Sequence, residues 1–492
     1  MNHDGIQREV SVNGVRGDIH KHLLMRLLLL LVVTSLGLAV GCKKNPQVEA
    51  QKHLQKARDE AAQGKTSEAI VEYRRAIQNN PKLVPAHLEL GKLFLKSRDF
   101  QNAFKQFALT TKIDPNNVDG HLSTAELLVA AGNFTEAKQE ADNILTQDPN
   151  NTRALMIAAQ SQGGVGDVTG ARKLVEQVLK LQPSNSLAWY YLSGLQFQQK
   201  DVEDAEKSLR QSIQVGSLSD SNGAGIRPVV TLATLLVKEN RIPEAEKLLR
   251  DTVARDPNNV DANYVLAAFL LKKKDLPEAE ALLKKVSQLG DSEPGRRSAL
   301  ALFYLITGRR DDAIKQYQDI ISRHPDDIAN TRALAAIYID SGRTADGEKL
   351  IEGILKDHPS DAAALIMRGQ LRGSQGRTDE AINDLERATK AGNANGRKPD
   401  PTMALAHYYL AVAQLKKGQV DVAQGELQNA LEINPNMNDA RVLLASIQVR
   451  TGKGDKALQN LDKVVATKPG AVNPYVMKSL VEAQQTGDLA QA

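Results

Sequence analysis

From Ala50 onward the chain carries two amphipathic helical patterns per unit, each about a dozen residues long, with a short polar break between them. The unit recurs at a fixed interval. An alanine is followed by an apolar residue four later, a small or apolar one three after that, and a proline five further on. Ala69-Tyr73-Ala76-Pro81, Ala103-Phe107-Thr110-Pro115, Ala137-Ala141-Ile144-Pro149 and Ala171-Val175-Val178-Pro183 follow one another at steps of 34 residues. Ala245-Leu249-Thr252-Pro257, Ala313-Tyr317-Ile320-Pro325, Ala423-Leu427-Ala430-Pro435 and Ala457-Leu461-Val464-Pro469 are later copies.

Small residues hold the eighth position, among them Gly91, Ala125, Ala159, Ala301 and Gly369, where two helices must approach closely. Glycines such as Gly64, Gly132, Gly308 and Gly452 end the first helix of a unit, and the proline stops the second. Asp-Pro-Asn-Asn at 114–117, 148–151 and 256–259 makes the turn into the next unit.

The phase places repeat starts at residues 50, 84, 118, 152, 186, 226, 260, 294, 328, 362, 404 and 438, with a further first helix from Val472. It slips before Ile226 and again before Ala404, where turn-rich inserts occupy 216–225 and 392–403. Those inserts read either as tolerated surface loops or as hinges and docking loops.

A 34-residue period with this pattern resembles the tetratricopeptide repeat. The resemblance covers 50–492 and implies an all-α chain: a right-handed α-solenoid of about 12 helix-turn-helix repeats closed by a capping helix. The expected organisation is a block of five repeats at 50–219, a second block of five with loop inserts at 220–403, and a third of two repeats plus the cap at 404–492.

Ahead of the repeats, the run from Leu27 to Cys42 contains no charged residue and is short for a spanning helix, which needs about 20 residues. It fits the apolar core of an export signal. Ala39-Val40-Gly41-Cys42 resembles the lipobox of bacterial lipoproteins, with Ala39 where leucine is commoner, and Cys42 is the only cysteine of the chain. The resemblance implies a leader over 1–41, lipidation at Cys42 and a linker over 42–49. The alternative is an uncleaved N-terminal anchor. Lys43 follows where an aspartate would retain a lipoprotein at the inner membrane, so the family analogy points to the outer membrane, facing the periplasm.

Composition narrows the chemistry. Lys and Arg total 63 against 59 Asp and Glu, and aromatics are only 4%, which argues against a nucleic-acid partner. One cysteine excludes an internal disulfide framework and any multi-cysteine metal site. The sequence contains neither His-Glu-x-x-His, nor a P-loop, nor a Gly-x-Ser-x-Gly elbow. Gly163-Gly164-Val165-Gly166 reads as a helix–helix turn. His53, His87 and His121 are spaced by 34, each at position four of its repeat. Neighbouring repeats stand roughly 8–10 Å apart, whereas zinc ligands lie about 2 Å from the ion. Three in line cannot converge, so a repeated packing position is the better reading. No catalytic residue, metal or cofactor is assigned.

The family resemblance also implies that positions two, five, nine, twelve and thirteen of each first helix line a concave groove. Tyr190, Phe197, Tyr264 and Tyr408 are the candidate partner anchors, since aromatics concentrate binding energy. Lys92, Lys96, Lys238, Lys272 and Lys416 form candidate basic edges suited to a peptide with acidic character. The competing reading is that position twelve packs against the neighbouring repeat and the lysines are merely solvated. The lysine–asparagine pair of the carboxylate clamp and the asparagine ladder of sugar transferases are both absent from the repeats.

Together these features resemble the repeat lipoproteins of envelope and exopolysaccharide-export systems. They imply a non-catalytic, lipid-anchored scaffold that binds other envelope proteins or peptide segments, with a carrier or sensor that binds polysaccharide or lipid directly as the alternative.

Overall fold

The computed structural model describes residues 45–219, 223–391 and 401–486. The leader and Cys42 lie outside the described residues, as do parts of both inserts, at 220–222 and 392–400.

Among the described residues every regular element is a helix. The first hairpin pairs Pro46–Ala62 with Thr66–Asn79 and the second pairs Val84–Lys96 with Phe100–Ile113. The alternation continues to Gly454–Thr467, after which Val472–Thr486 follows. First helices begin at Val84, Val118, Thr152, Ser186, Val260, Pro294, Ile328, Ala362 and Asn438, the residues at which the phase places the repeat starts. Helix Pro46–Ala62 reaches back into the segment read as linker, and Pro401–Lys416 into the second insert. The fold is a solenoid of helical repeats. The chain divides into two compact units, one up to Leu232 and one from Ala233, and the division falls within helix Arg227–Lys238.

The repeat pattern works through size. Position twenty, the alanine of the motif, has no exposed surface at Ala69, Ala103, Ala171, Ala245, Ala381 and Ala457. Four residues on, Tyr73, Phe107, Val175, Leu249, Tyr317 and Leu461 are buried, each stabilising the hairpin by about 1.5–3 kcal/mol through removal from water. Position eight stays small because these side chains lie on it. A methyl group at Gly91 would sit 2.5 Å from Cε1 of Phe107, and one at Gly369 would sit 2.7 Å from Cγ of Leu385.

The two ends of each first helix are set by backbone chemistry. Asn117, Asn151, Asn185 and Asn259 each accept a hydrogen bond from the amide three residues ahead, at 2.9–3.1 Å. Three of these are the last residue of an Asp-Pro-Asn-Asn turn, so that motif is a turn and a helix cap at once. At the other end, position fifteen adopts a positive φ, from 58° to 91°, in all twelve repeats. The amide after it then reaches back into the helix, as Asp99 does to the Phe94 carbonyl at 2.9 Å and Asn133 to Leu128 at 2.9 Å. Gly166 holds this place in the 163–166 run, which is therefore a turn.

The first helix of the eighth repeat departs from the pattern. It breaks at Ser298 into Pro294–Arg297 and Ala299–Ile306. Arg297 is buried at the break, where its Nη1 donates to Asp327 at 2.5 Å and its Nε to the Asp291 carbonyl at 2.7 Å.

Candidate functional site

The spaced histidines have a structural explanation. The His87 ring meets the Pro81 carbonyl at 3.0 Å through Nε2 and Gln106 Oε1 at 2.8 Å through Nδ1. His121 does the same with the Pro115 carbonyl and Glu140. His53 pairs with Glu72 at 2.6 Å and His407 with Glu426 at 2.5 Å. The partner thus lies six residues back, in the preceding turn, or nineteen ahead, on the second helix. Other residue types at position four make the same backward bond: Trp189 donates to Pro183 at 2.9 Å, Asn263 to Pro257 at 2.8 Å, and Arg441 to Pro435. Position four is a fastening between turn and hairpin. Among the described residues no group of three or more His, Cys, Asp or Glu side chains could hold a metal ion.

Glu72, at the receiving end, is buried. Burial pushes its pKa up, but hydrogen bonds from His53 and Lys56 and the charges of Lys56 and Arg75 outweigh that and hold it at about 2.

In the unit up to Leu232, successive first helices are tied by ion pairs across the proposed groove. Arg58 Nε donates to Glu89 at 2.8 Å, Lys92 Nζ to Asp119 at 3.0 Å, and Arg153 to Glu126 at 2.7 Å. Lys92 is therefore part of a bridge between repeats, while Lys96 is exposed with no ion-pair partner among the described residues. Tyr190 and Phe197 are both half-buried. The Arg227 guanidinium lies 5.3 Å from the centre of the Tyr190 ring, and the Tyr190 hydroxyl is 3.5 Å from Oγ1 of Thr231. The lysines and the aromatics sit three repeats apart in this unit. They occupy different helix positions in different repeats, Lys92 and Lys96 at nine and thirteen and Tyr190 and Phe197 at five and twelve.

In the unit from Ala233, Lys238 and Lys272 are exposed and carry no ion pair among the described residues, whereas Lys416 Nζ donates to the Gly373 carbonyl at 2.9 Å. Tyr264 is half-buried and stacked by Arg296, whose guanidinium is 4.1 Å from the ring centre and also donates to Asp261 at 2.6 Å. Tyr408 is half-buried too, packs edge-on to Tyr409 at 5.1 Å, and lines a cleft with Asp439 and Val442. Between these tyrosines the broken helix exposes Leu302 and Ile306, the latter 71% accessible.

Position five thus splits. Leu54, Leu122, Met156 and Ile366 are buried and serve the core, while the three tyrosines retain accessible surface. Position twelve is half-buried at Val129, Leu305, Ile339 and Leu415, each packed on a core cluster. Arg227, Arg296, Asp439, Leu302 and Ile306 are the residues the sequence reading did not single out. All five occupy positions two, three, nine or thirteen of a first helix. Position was a signal for all but Arg296, which lies at position three outside the expected groove set, and the effect of each depends on what the neighbouring repeat places opposite it.

Helix hairpins of this length, joined through small residues at positions eight and twenty, define a tetratricopeptide-type array. One tetratricopeptide repeat family matches residues 94–161, 230–302, 304–371 and 415–476, a second matches 158–214 and 366–423, and a TPR repeat family matches 57–97. The first alone covers more than half of the chain, and the protein belongs to the tetratricopeptide repeat family. Such repeats generally form non-catalytic scaffolds for protein–protein interaction and bind peptides. No curated protein matches the sequence. Among solved structures it is similar to yeast Tom70 (12% identity, 89% of this chain and 96% of that one, TM-score 0.40). It is also similar to a chain of the APC/C Cut9–Hcn1 hetero-tetramer (13%, 89% and 98%, TM-score 0.38). A third is pilF of Pseudomonas aeruginosa (18%, 44% and 95%, TM-score 0.35).

Proposed function

We propose that this protein is a non-catalytic scaffold of the bacterial envelope, anchored by lipid at Cys42 to the outer membrane and facing the periplasm. Its first-helix faces hold segments of other envelope proteins during assembly or export of surface polymers. The observation that carries the scaffold reading is the contrast at position five. There, Leu54, Leu122, Met156 and Ile366 sink into the core while Tyr190, Tyr264 and Tyr408, like Leu88, Val230 and Val442, keep accessible surface, and of these only the tyrosines are aromatic. Aromatic rings left accessible on a rigid helix face are economical anchors for a partner chain. The lone cysteine after Ala39-Val40-Gly41 supports the anchor, because several acyl chains together hold a protein firmly on a bilayer.

Two variants test the two halves separately. Cys42→Ser should move the protein from the membrane fraction to the soluble fraction without altering its helical content. Sedimentation with membranes through the uncut apolar segment would overturn the lipid anchor. The triple change of Tyr190, Tyr264 and Tyr408 to Ala should weaken capture of crosslinked envelope partners in intact cells while the circular dichroism spectrum holds. An unchanged set of captured proteins would overturn the groove, and capture of glycan alone would favour a polysaccharide carrier.

A further inference from the structure

The three position-five tyrosines are not equivalent. At Tyr190, position two of the following repeat supplies Arg227, whose guanidinium faces the ring. At Tyr264 the following repeat supplies Arg296, which stacks at 4.1 Å and is held by the Asp261 carboxylate at 2.6 Å. The protein thus builds a three-part contact at Tyr264: an aromatic face, a guanidinium over it, and a carboxylate on the guanidinium. At Tyr408, position two of the following repeat is Asp439, so the ring faces a carboxylate where Tyr190 faces an arginine. Among the described residues no guanidinium stacks on Tyr408, and Asp439 has no hydrogen-bond or ion-pair partner. Two parts of the contact are present without the third. Between them lies a cleft of about 550 Å³.

We propose that this cleft receives one arginine side chain of a partner segment, with its guanidinium over the Tyr408 ring and against the Asp439 carboxylate. A planar guanidinium satisfies both surfaces at once. It stacks on an aromatic face and presents a fork of donors to a carboxylate, which a lysine ammonium does less well. Lys468 also lines the cleft, so a second cation beside the first is disfavoured, and the matching segment carries a single arginine among neutral or acidic residues. The inference rests on the reading that first-helix faces receive partner segments. It gives this end of the face a cationic ligand, opposite in sign to the one Lys238 and Lys272 invite.

The test uses the full chain with 3-fluorotyrosine incorporated. The Tyr408 fluorine signal is assigned by its loss in Tyr408→Phe. The probes are the blocked tripeptides Gly-Arg-Gly, Gly-Lys-Gly, Gly-Glu-Gly and Gly-citrulline-Gly, the last a neutral near-isostere of arginine. Gly-Arg-Gly should shift the Tyr408 signal saturably. The citrulline probe, and Gly-Arg-Gly with Asp439→Asn, should each bind about tenfold more weakly, the loss of one charge-assisted contact. Equal binding of arginine and citrulline probes, an unchanged response in Asp439→Asn, a larger shift with the glutamate probe, or no saturable shift with Gly-Arg-Gly would each overturn the proposal. Tyr190→Ala with Tyr264→Ala distinguishes this from failure of the wider groove, because it should reduce partner capture yet leave the Tyr408 response to Gly-Arg-Gly intact.

Discussion

A left-handed backbone residue closes the first helix of every repeat, and glycine holds the place in eight of them. Arg98, Lys200, Asn240 and Lys274 hold it in the others. A side chain bearing a Cβ is strained there, whereas glycine is not, and asparagine is the mildest exception. Lys200→Gly and Lys274→Gly should therefore each stabilise the protein by about 1 kcal/mol in urea unfolding, and Asn240→Gly by less. Glu72 gives a second expectation. Its folded pKa of about 2 lies below its ordinary value of 4.5, so the stabilising interaction is fully present above about 4.5 and is lost as pH falls toward 2. Glu72→Gln should be less stable than the native chain at pH 5, and the gap should close between pH 4.5 and 2. A gap that is constant across that window would show that the charge of Glu72 contributes nothing.

At the scale of the element, the helix boundaries were legible because the chain writes them in several ways at once. Period, small residues, caps and prolines agree, so nine of the twelve first helices begin at the residue where the phase puts them. The caps carry measurable weight. Asn151→Ala removes the acceptor for the Ala154 amide and should cost about 1 kcal/mol, read as a lower thermal midpoint. The break at Ser298 was not legible. Beside it Arg297 is buried, and the partner of its guanidinium, Asp327, is thirty residues away, at the head of the next repeat. The candidate site was legible only in part for the same reason. Periodicity tells which residues share a face, and the groove positions implied by the family resemblance pointed to Tyr190, Phe197, Tyr264 and Tyr408. It does not tell which of them the following repeat covers with an arginine, or that Lys92 is tied to Asp119 while Lys96 is not. Such facts belong to pairs of repeats, and the period averages them away.

For the molecule, the interactions are short in sequence. The side-chain hydrogen bonds between repeats described above join residues of adjacent units, and even the long Lys416–Gly373 contact spans only 43 residues. A chain held this way behaves as a row of neighbours, and its stability is a sum of local terms. Gly91→Ala drives a methyl group into Phe107 and should cost about 1–3 kcal/mol by overpacking. Hydrogen exchange should then quicken in helices Pro46–Ala62 through Ile113 and stay unchanged in Pro401–Lys416 through Gly454–Thr467. Uniform quickening along the chain would mean that the array unfolds as a single cooperative body.

The clasp at position four has a consequence for how such a chain can grow. Its two attachment points are a carbonyl six residues upstream and a polar group nineteen downstream. A duplicated segment of one period therefore carries its own fastener and finds an equivalent carbonyl at whichever proline turn precedes it. Because that carbonyl is main chain, the incoming copy needs no matching mutation in its new neighbour. Histidine, tryptophan, asparagine and arginine all serve as the hook, so the copies are free to diverge afterwards without coming apart.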